Sequence, residues 1–255
     1  MKCAIERREL ILERVNKDGY MQVSELASLC DVTTATIRTD LNALEKKGLL
    51  YRTHGTAMST SHFVKERSNT DKSRINAEAK RRIGHEALKC ISENDTVFIA
   101  SGTTVEEFAK QIPAGWHLTV FTPCLNIAGM MASYQNMTIH LLGGVVNPNS
   151  MSVRGEYSAE VMAASNCSVM YFGADGIDNE GSVSGSTLEE ALFLKKAMRC
   201  ALKTVLLCDS SKIGCRGAGR ICGMEQIDVF ITDGGLSEND RKHFEDAGTE
   251  VIIAE

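Results

Sequence analysis

The sequence predicts an α/β protein in two unequal parts, a small helical module followed by a larger domain built on a mostly parallel sheet. Three observations carry that prediction. From Asn76 onward, helix-length amphipathic stretches alternate with short β-rich runs such as TVFIA (96–100), LTVFT (118–122) and TVLLC (204–208), the pattern of strands joined by crossover helices. Ahead of them, three helical patterns crowd into residues 5–48, with a tight turn at Asp31-Val32-Thr33 between the second and third. Charge divides the same way: residues 1–82 hold 16 Lys+Arg against 11 Asp+Glu, and 83–255 hold 12 against 22, within a chain whose net charge is −5. Such asymmetry implies two modules with different partners.

With 43% apolar and 24% charged residues, the 255-residue chain is of globular composition, which excludes a disordered chain, a collagen or a coiled-coil rod. The most membrane-like stretch, Trp116 to Ser133, is broken by His117, Pro123 and Asn126 and falls short of an apolar span of about 20 residues. The opening MKCAIERREL carries charges where an export signal has its apolar run, so the expected compartment is the cytoplasm. Nine cysteines, an odd number without a CxxC pair, are expected to be reduced thiols. The six histidines show no i, i+4 pairing, and Cys208, Cys215 and Cys222 stand seven apart rather than at zinc-ligand spacing. No metal and no cofactor is expected.

In the first module, Ile5, Leu10, Ile11, Leu12 and Val15 fall near helical spacing, and Asp18-Gly19 ends that helix. Ser24 opens a second helix, SELASLC, with Leu26, Ala27 and Cys30 inward. In the third, TATIRTDLNALEKKG, Ile37, Leu41 and Leu44 recur at i, i+4 and i+7 and must face the core. The pattern is a helix-turn-helix. Thr34, Ala35, Thr36, Arg38, Thr39, Asn42 and Lys46 are left on the outer side, where Arg and Asn suit guanine and adenine edges in a major groove and hydroxyls and Lys46 suit phosphates. Gly48 ends this helix, and LLYRTHGTA reads as a hairpin, or wing, that carries Arg52 and His54 to the DNA backbone. Residues 1–57 thus form a winged helix-turn-helix DNA-binding domain. Residues 58–75 are polar, lack an apolar period and read as a linker, with an ordered extension anchored by Phe63 and Val64 as the alternative.

The run TIRTDLNALEKKGLLYRTHG (36–55) resembles the signature of the DeoR-type bacterial transcriptional regulators, TIRxDLxxLExxGxLxRxHG. The chain departs from the usual family pattern at Thr39, where a second Arg is common, and at Thr56, where a second Gly is common. The resemblance implies operator DNA as partner.

In the second domain, 76–255, helices over 76–92, 104–112, 125–134, 156–165, 187–202 and 237–246 alternate with the runs already named and with TIHLL, VMYFG, VFIT and VIIA. Ligands of such sheets sit at the carboxyl ends of strands, and five loops there have suitable chemistry. Ser101-Gly102-Thr103-Thr104 follows the first strand and offers hydroxyls and turned backbone N–H groups to an anion. Thr122 to Asn126 and Gly143-Gly144 place small or polar groups at the same edge. Ala174-Asp175-Gly176-Ile177-Asp178 brings two carboxylates that accept sugar hydroxyls, although a plain turn also selects Asp and Gly. Asp209-Ser210-Ser211-Lys212 supplies a strand-end ammonium for a phosphate.

These loops also look like the effector domain of the DeoR-type regulators, which is similar to ribose-5-phosphate isomerase and glucosamine-6-phosphate deaminase. By that resemblance Ser101 to Thr104 and Lys212 hold a phosphate and Asp175 and Asp178 hold the sugar, with Thr122, Asn126 and Gly143 beside them. The alternative is an isomerase-like enzyme with an appended DNA-binding domain. The isomerase has a Lys-Gly-Gly-Gly stretch after its acidic loop, where this chain reads EGSVSGS with no Lys between Asp178 and Lys195, so the electrophile for an enediolate is missing; Glu189 or Glu190 stays open as a carboxylate near the ligand, and no catalytic residue is assigned. The reading is a regulator, a repressor of carbohydrate-use genes controlled by a phosphorylated sugar or related metabolite. One reading helix per chain calls for a dimer or tetramer.

Overall fold

A computed structural model describes residues 3–53, 55–59, 64 and 66–255 of the chain. The first module runs α1 (Ala4–Asp18), β1 (Tyr20–Gln22), α2 (Val23–Cys30), α3 (Thr34–Glu45), β2 (Leu50–Thr53) and β3 (Thr56–Ser59). Gly19, at φ 84°, stops α1, and Asp31, at φ 52°, turns the chain out of α2. Thr33 caps α3 by accepting the Thr36 N–H at 3.3 Å. Ile11, Leu26, Ile37 and Leu41 are fully buried together, and each such side chain stabilises the module by about 1.5–3 kcal/mol. A charged clasp reinforces this core: Asp40, buried on α3, accepts hydrogen bonds from Arg7 Nε at 2.5 Å and Arg8 Nε at 2.7 Å on α1.

The hairpin β2–β3 forms as expected, but β3 also pairs with β1 to make an antiparallel sheet in the order β1-β3-β2. All three residues of β1 are buried, so no alternation marks it in the sequence. His54 lies outside the described residues.

Residues 58–75 differ from the linker reading. β3 continues to Ser59, Val64 donates its N–H to Arg216 O at 2.7 Å, and α4 (Asn69–Arg74) is capped by Ser68, which accepts the Asp71 N–H at 3.1 Å. The polar composition hid this order, because α4 docks through polar side chains such as Asn69, whose Nδ2 donates to Glu106 Oε1 and Ser150 O, both at 3.0 Å.

The larger domain follows with α5 (Ala77–Ala87), β4 (Thr96–Ile99), α6 (Thr103–Ala109), β5 (Leu118–Thr122), α7 (Leu125–Met131) and β6 (Met137–Leu141). It continues with β7 (Val145–Asn147), β8 (Ser152–Arg154), α8 (Glu156–Ala163), β9 (Cys167–Phe172), β10 (Gly176–Ile177), β11 (Ser182–Gly185) and α9 (Leu188–Met198). The last elements are β12 (Ala201–Leu207), β13 (Gly219–Gly223), β14 (Val229–Asp233), α10 (Glu238–Asp246) and β15 (Glu250–Ala254). Seven strands form one parallel sheet in the order β15-β14-β12-β9-β4-β5-β6. Side chains alternate between two apolar layers, with Phe98, Met170, Leu206 and Phe230 on one face and Val97, Val169, Val205 and Val229 on the other. Burial on both faces is why these strands read as unbroken apolar runs.

The helix expected over 187–202 ends at Met198, because Ala201 already pairs with Cys167 of β9 and the chain enters β12. The small sheet β10-β11-β13 and the hairpin β7–β8 were not read from the sequence, since their strands are of two to five residues and rich in Gly, Ser and Asn. No helix of the described residues is long and apolar enough to cross a membrane.

The strand order fixes where a ligand fits. From β4 the chain builds outward to β5 and β6 on one side, and then returns through β9 to β12, β14 and β15 on the other. The crevice at such a reversal, beyond the carboxyl ends of β4 and β9, is the open position in a parallel sheet.

Candidate functional site

On α3, Thr34, Arg38, Thr39 and Asn42 are exposed and Thr36 half-buried, while Ile37, Leu41 and Leu44 point inward. Arg38 and Asn42, four apart, share one face of the helix, with Thr34 one turn before them. Lys46 is exposed directly after the last turn. Arg52 on β2 donates to Asn42 Oδ1 and lies 4.0 Å from Glu45, so the wing leans on the carboxyl half of α3. Thr39 Oγ1 turns back to Ala35 O at 3.1 Å. The result is a convex polar face of hydroxyl, guanidinium and amide groups, the set that contacts phosphates and base edges.

At the reversal of the sheet a cavity is lined by Ser101, Gly102, Thr103 and Thr104 after β4, by Asp175 after β9, and by Asp209 and Lys212 after β12. Gly102 sits at φ 130°, a conformation that favours glycine, and so lets the backbone turn sharply into α6. Glu190 of α9, one of the two glutamates the sequence placed near the ligand, lines the cavity, and four further charged groups enter that the sequence reading did not assign: Glu66 and Arg67 ahead of α4, Lys72 of α4 and Lys80 of α5. Lys80 did leave a signal, an ammonium on the otherwise buried stripe Lys80, Ile83, Gly84 and Ala87. Lys72 left none, because its position depends on how α4 folds back.

The charges are interlocked. Lys72 Nζ donates to Asp175 Oδ1 at 2.6 Å, the Ser186 N–H to Asp175 Oδ2 at 3.0 Å, and Lys80 Nζ to the Lys72 carbonyl at 2.5 Å. Asp209 Oδ1 accepts from Asn76 Nδ2 at 2.8 Å and from the Ser211 hydroxyl. Burial opposes ionisation of Asp175, but Lys72 and Lys212 outweigh it and hold the carboxyl well below the usual range. Asp209 is lowered in the same way: burial is overcome chiefly by Lys212 and by the Ser211 hydrogen bond. Burial also works against the Lys212 ammonium, yet Tyr20, Asp209 and Asp175 hold its pKa above that of an ordinary lysine. Lys80 goes the other way, its pKa drawn down to about 8 by burial, with Lys212 and Lys72 adding repulsion. Glu190 is pushed up to about 7 by burial and by the charge of Asp175.

Four expected residues lie apart from this cavity. Thr122 is fully buried and accepts the Cys124 N–H at 3.1 Å. Asn126 is exposed and turns its amide to Glu106 at 3.4 Å. Gly143 packs against the Tyr157 ring and accepts from Ser158 Oγ at 2.5 Å. Asp178 is held by Arg216 at 2.6 and 3.0 Å and accepts the Glu180 and Ser182 N–H groups at 3.0 and 2.9 Å, so its carboxylate closes the β10–β11 turn. Cys208, Cys215 and Cys222 are buried, and that burial pushes Cys208 well above an ordinary thiol, Cys215 up to about 11 and Cys222 up to about 12. Such thiols are poor nucleophiles.

Residues 7–63 match the DeoR-like helix-turn-helix domain and residues 75–234 the DeoR C terminal sensor domain. The chain is 31% identical over 251 residues to a putative aga operon transcriptional repressor of Escherichia coli O157:H7, covering 97% of this chain and 93% of the relative. It is 32% identical over 240 residues to a lactose phosphotransferase system repressor of Staphylococcus epidermidis, covering 93% and 95%. Among solved structures, ribose 5 phosphate isomerase A from Neisseria gonorrhoeae aligns with 53% of each chain at 20% identity and a TM-score of 0.39.

Proposed function

This chain belongs to the DeoR family of DNA-binding transcriptional regulators, and on that premise we propose that it represses genes of carbohydrate use under the control of a phosphorylated sugar held in the cavity beyond β4 and β9. The observation that carries this reading is the convergence of Lys72, Lys80 and Lys212 with the Ser101–Thr104 loop and the carboxylates of Asp175 and Asp209 around one crevice. Lysines and turned backbone N–H groups are the partners of a phosphate, whereas ionised carboxylates accept from sugar hydroxyls. Glu190, with a pKa near 7, is partly protonated at neutral pH and adds a donor. Two relatives are named for repression of an aga operon and of a lactose phosphotransferase system, which supports a carbohydrate signal.

On the DNA side, Arg38 and Asn42 read base edges while Thr34, Thr36, Thr39, Lys46, Arg52 and His54 hold the backbone. A single reading helix per chain makes a homo-oligomer, a dimer or tetramer, the working form on a two-half-site operator, and the cytoplasm its place of action. The test is a thermal-shift series with sugar phosphates set beside the same sugars without phosphate, on the wild type and on Lys72→Met. A phosphorylated sugar that raises the wild-type Tm, with no response in the variant, supports the reading. Equal response to the unphosphorylated sugar overturns it.

A further inference from the structure

The cavity is closed on one side by the DNA-binding module itself. Tyr20 of β1 is 1% exposed and lines the cavity, and Lys212 donates to its phenol oxygen with Nζ 4.4 Å from the ring centroid. Arg67, which also lines the cavity, donates through Nη2 to Glu25 Oε1 of α2 at 3.0 Å and stands 5.7 Å from the Tyr20 ring centroid. Its other terminal nitrogen, Nη1, is buried and has no hydrogen-bond partner among the described residues. A buried guanidinium N–H left unmade costs free energy, so this group is a standing donor for whatever anion enters.

We propose that an anionic ligand and the docked DNA-binding module compete for the same two cations, Lys212 and Arg67, so that filling the cavity undocks the module. This rests on the reading of the cavity as an anion site. Among the described residues the seam also holds Thr56 Oγ1, which donates to Ser211 O at 3.5 Å, a bridge of Val64 to Gly217, and a four-residue apolar cluster of Tyr20, Met58, Val64 and Cys215. Beside so small an apolar cluster, the polar anchors carry a large share of the docking. Phosphate oxygens carry net charge and meet the Lys212 ammonium as ion to ion, a stronger pairing than ammonium to phenol oxygen, so they win Lys212 when present. Arg67 then turns its unpartnered N–H groups inward, and its hold on Glu25 weakens. Tyr20 and Glu25 lie just before and within the helix-turn-helix, so losing both frees the orientation of α3 relative to the sensor domain. By reciprocity, weakening the seam from the DNA-binding side strengthens anion binding.

The experiment is calorimetric titration of the full chain with inorganic phosphate, in wild type, Tyr20→Phe, Glu25→Gln and Lys72→Met. Tyr20→Phe keeps the ring and Glu25→Gln keeps the acceptor for the Gln22 N–H, so both preserve the local fold. The two seam variants are expected to bind phosphate about three- to tenfold more tightly than wild type, because the binding-competent undocked state is more populated. Small-angle scattering is expected to show the wild type expanding on saturation with phosphate and both seam variants expanded without it. Unchanged phosphate affinity in both seam variants, with affinity lost in Lys72→Met, overturns the competition while the cavity reading stands. No phosphate binding by the wild type or either seam variant overturns both.

Discussion

Replacing Lys80 by Met is expected to make the protein more stable and deaf to its ligand. The ammonium sits on a buried helix stripe, 4% exposed, with a pKa drawn from 10.5 down to about 8. At about 1.4 kcal/mol for each tenfold in proton affinity, that displacement corresponds to roughly 3 kcal/mol of penalty on holding the charge in the native state. Against it stands one hydrogen bond, to the Lys72 carbonyl at 2.5 Å, whose loss costs about 1–3 kcal/mol. The balance at pH 7 is a gain of about 0–2 kcal/mol for Lys80→Met. The sign with pH follows from proton counts: between about 8 and 10.5 the unfolded chain binds more protons at this lysine than the native one, so wild-type stability rises with pH in that window. The variant lacks that rise. Urea denaturation of both proteins at pH 7.0 and pH 9.5 measures the difference. A variant destabilised by more than about 1 kcal/mol at pH 7, or one with the wild-type pH slope, contradicts the argument.

Arg38→Ala is expected to leave the melting temperature unchanged and to weaken specific DNA binding by about 1–3 kcal/mol in a titration at fixed salt, since one bidentate or phosphate contact is lost. Glu190, with its folded pKa raised from 4.5 to about 7, contributes stability that is present below pH 4.5 and lost as pH rises through about 7. Glu190→Gln therefore flattens the wild-type decline between those values, which denaturation at pH 5 and pH 8 reads directly. Gly144→Ala is expected to cost more than about 2 kcal/mol, because Gly144 lies at φ 145° and an added Cβ would fall 2.1 Å from the Arg154 carbonyl oxygen. An unchanged Tm in that variant refutes the close approach of β8 to this loop.

What the sequence made legible was whatever repeats with a period. Ile37, Leu41 and Leu44 set the face of α3, and through it the outward side of Arg38 and Asn42. The apolar strand runs located the sheet, and the rule that ligands sit at strand ends located Ser101 to Thr104, Asp175 and Lys212 in what became one cavity. Residues delivered from outside that pattern were not legible. Lys72 reaches Asp175 across 103 positions only because a polar six-residue helix folds back on the sheet, and Tyr20 reaches Lys212 across 192. Asp178 illustrates a different limit: the Asp-Gly chemistry that suits sugar hydroxyls also closes turns, and here the carboxylate is taken by Arg216 and two backbone N–H groups. Cys200-Ala-Leu-Lys fits a helix as well as a strand, and pairing with β9 decided it.

A fluorescence anisotropy titration would join the two halves of the molecule in one number. The DNA is a duplex selected by the full chain from a random pool, and the titration is run with and without the phosphorylated sugar that gives the largest thermal shift. The expected result is a change in DNA affinity of about fivefold or more with the phosphorylated sugar and none with the same sugar lacking phosphate, matching a typical coupling of about 1–3 kcal/mol. DNA affinity that no sugar phosphate alters, or that the unphosphorylated sugar alters equally, contradicts the assignment of the cavity as the sensor that governs DNA binding.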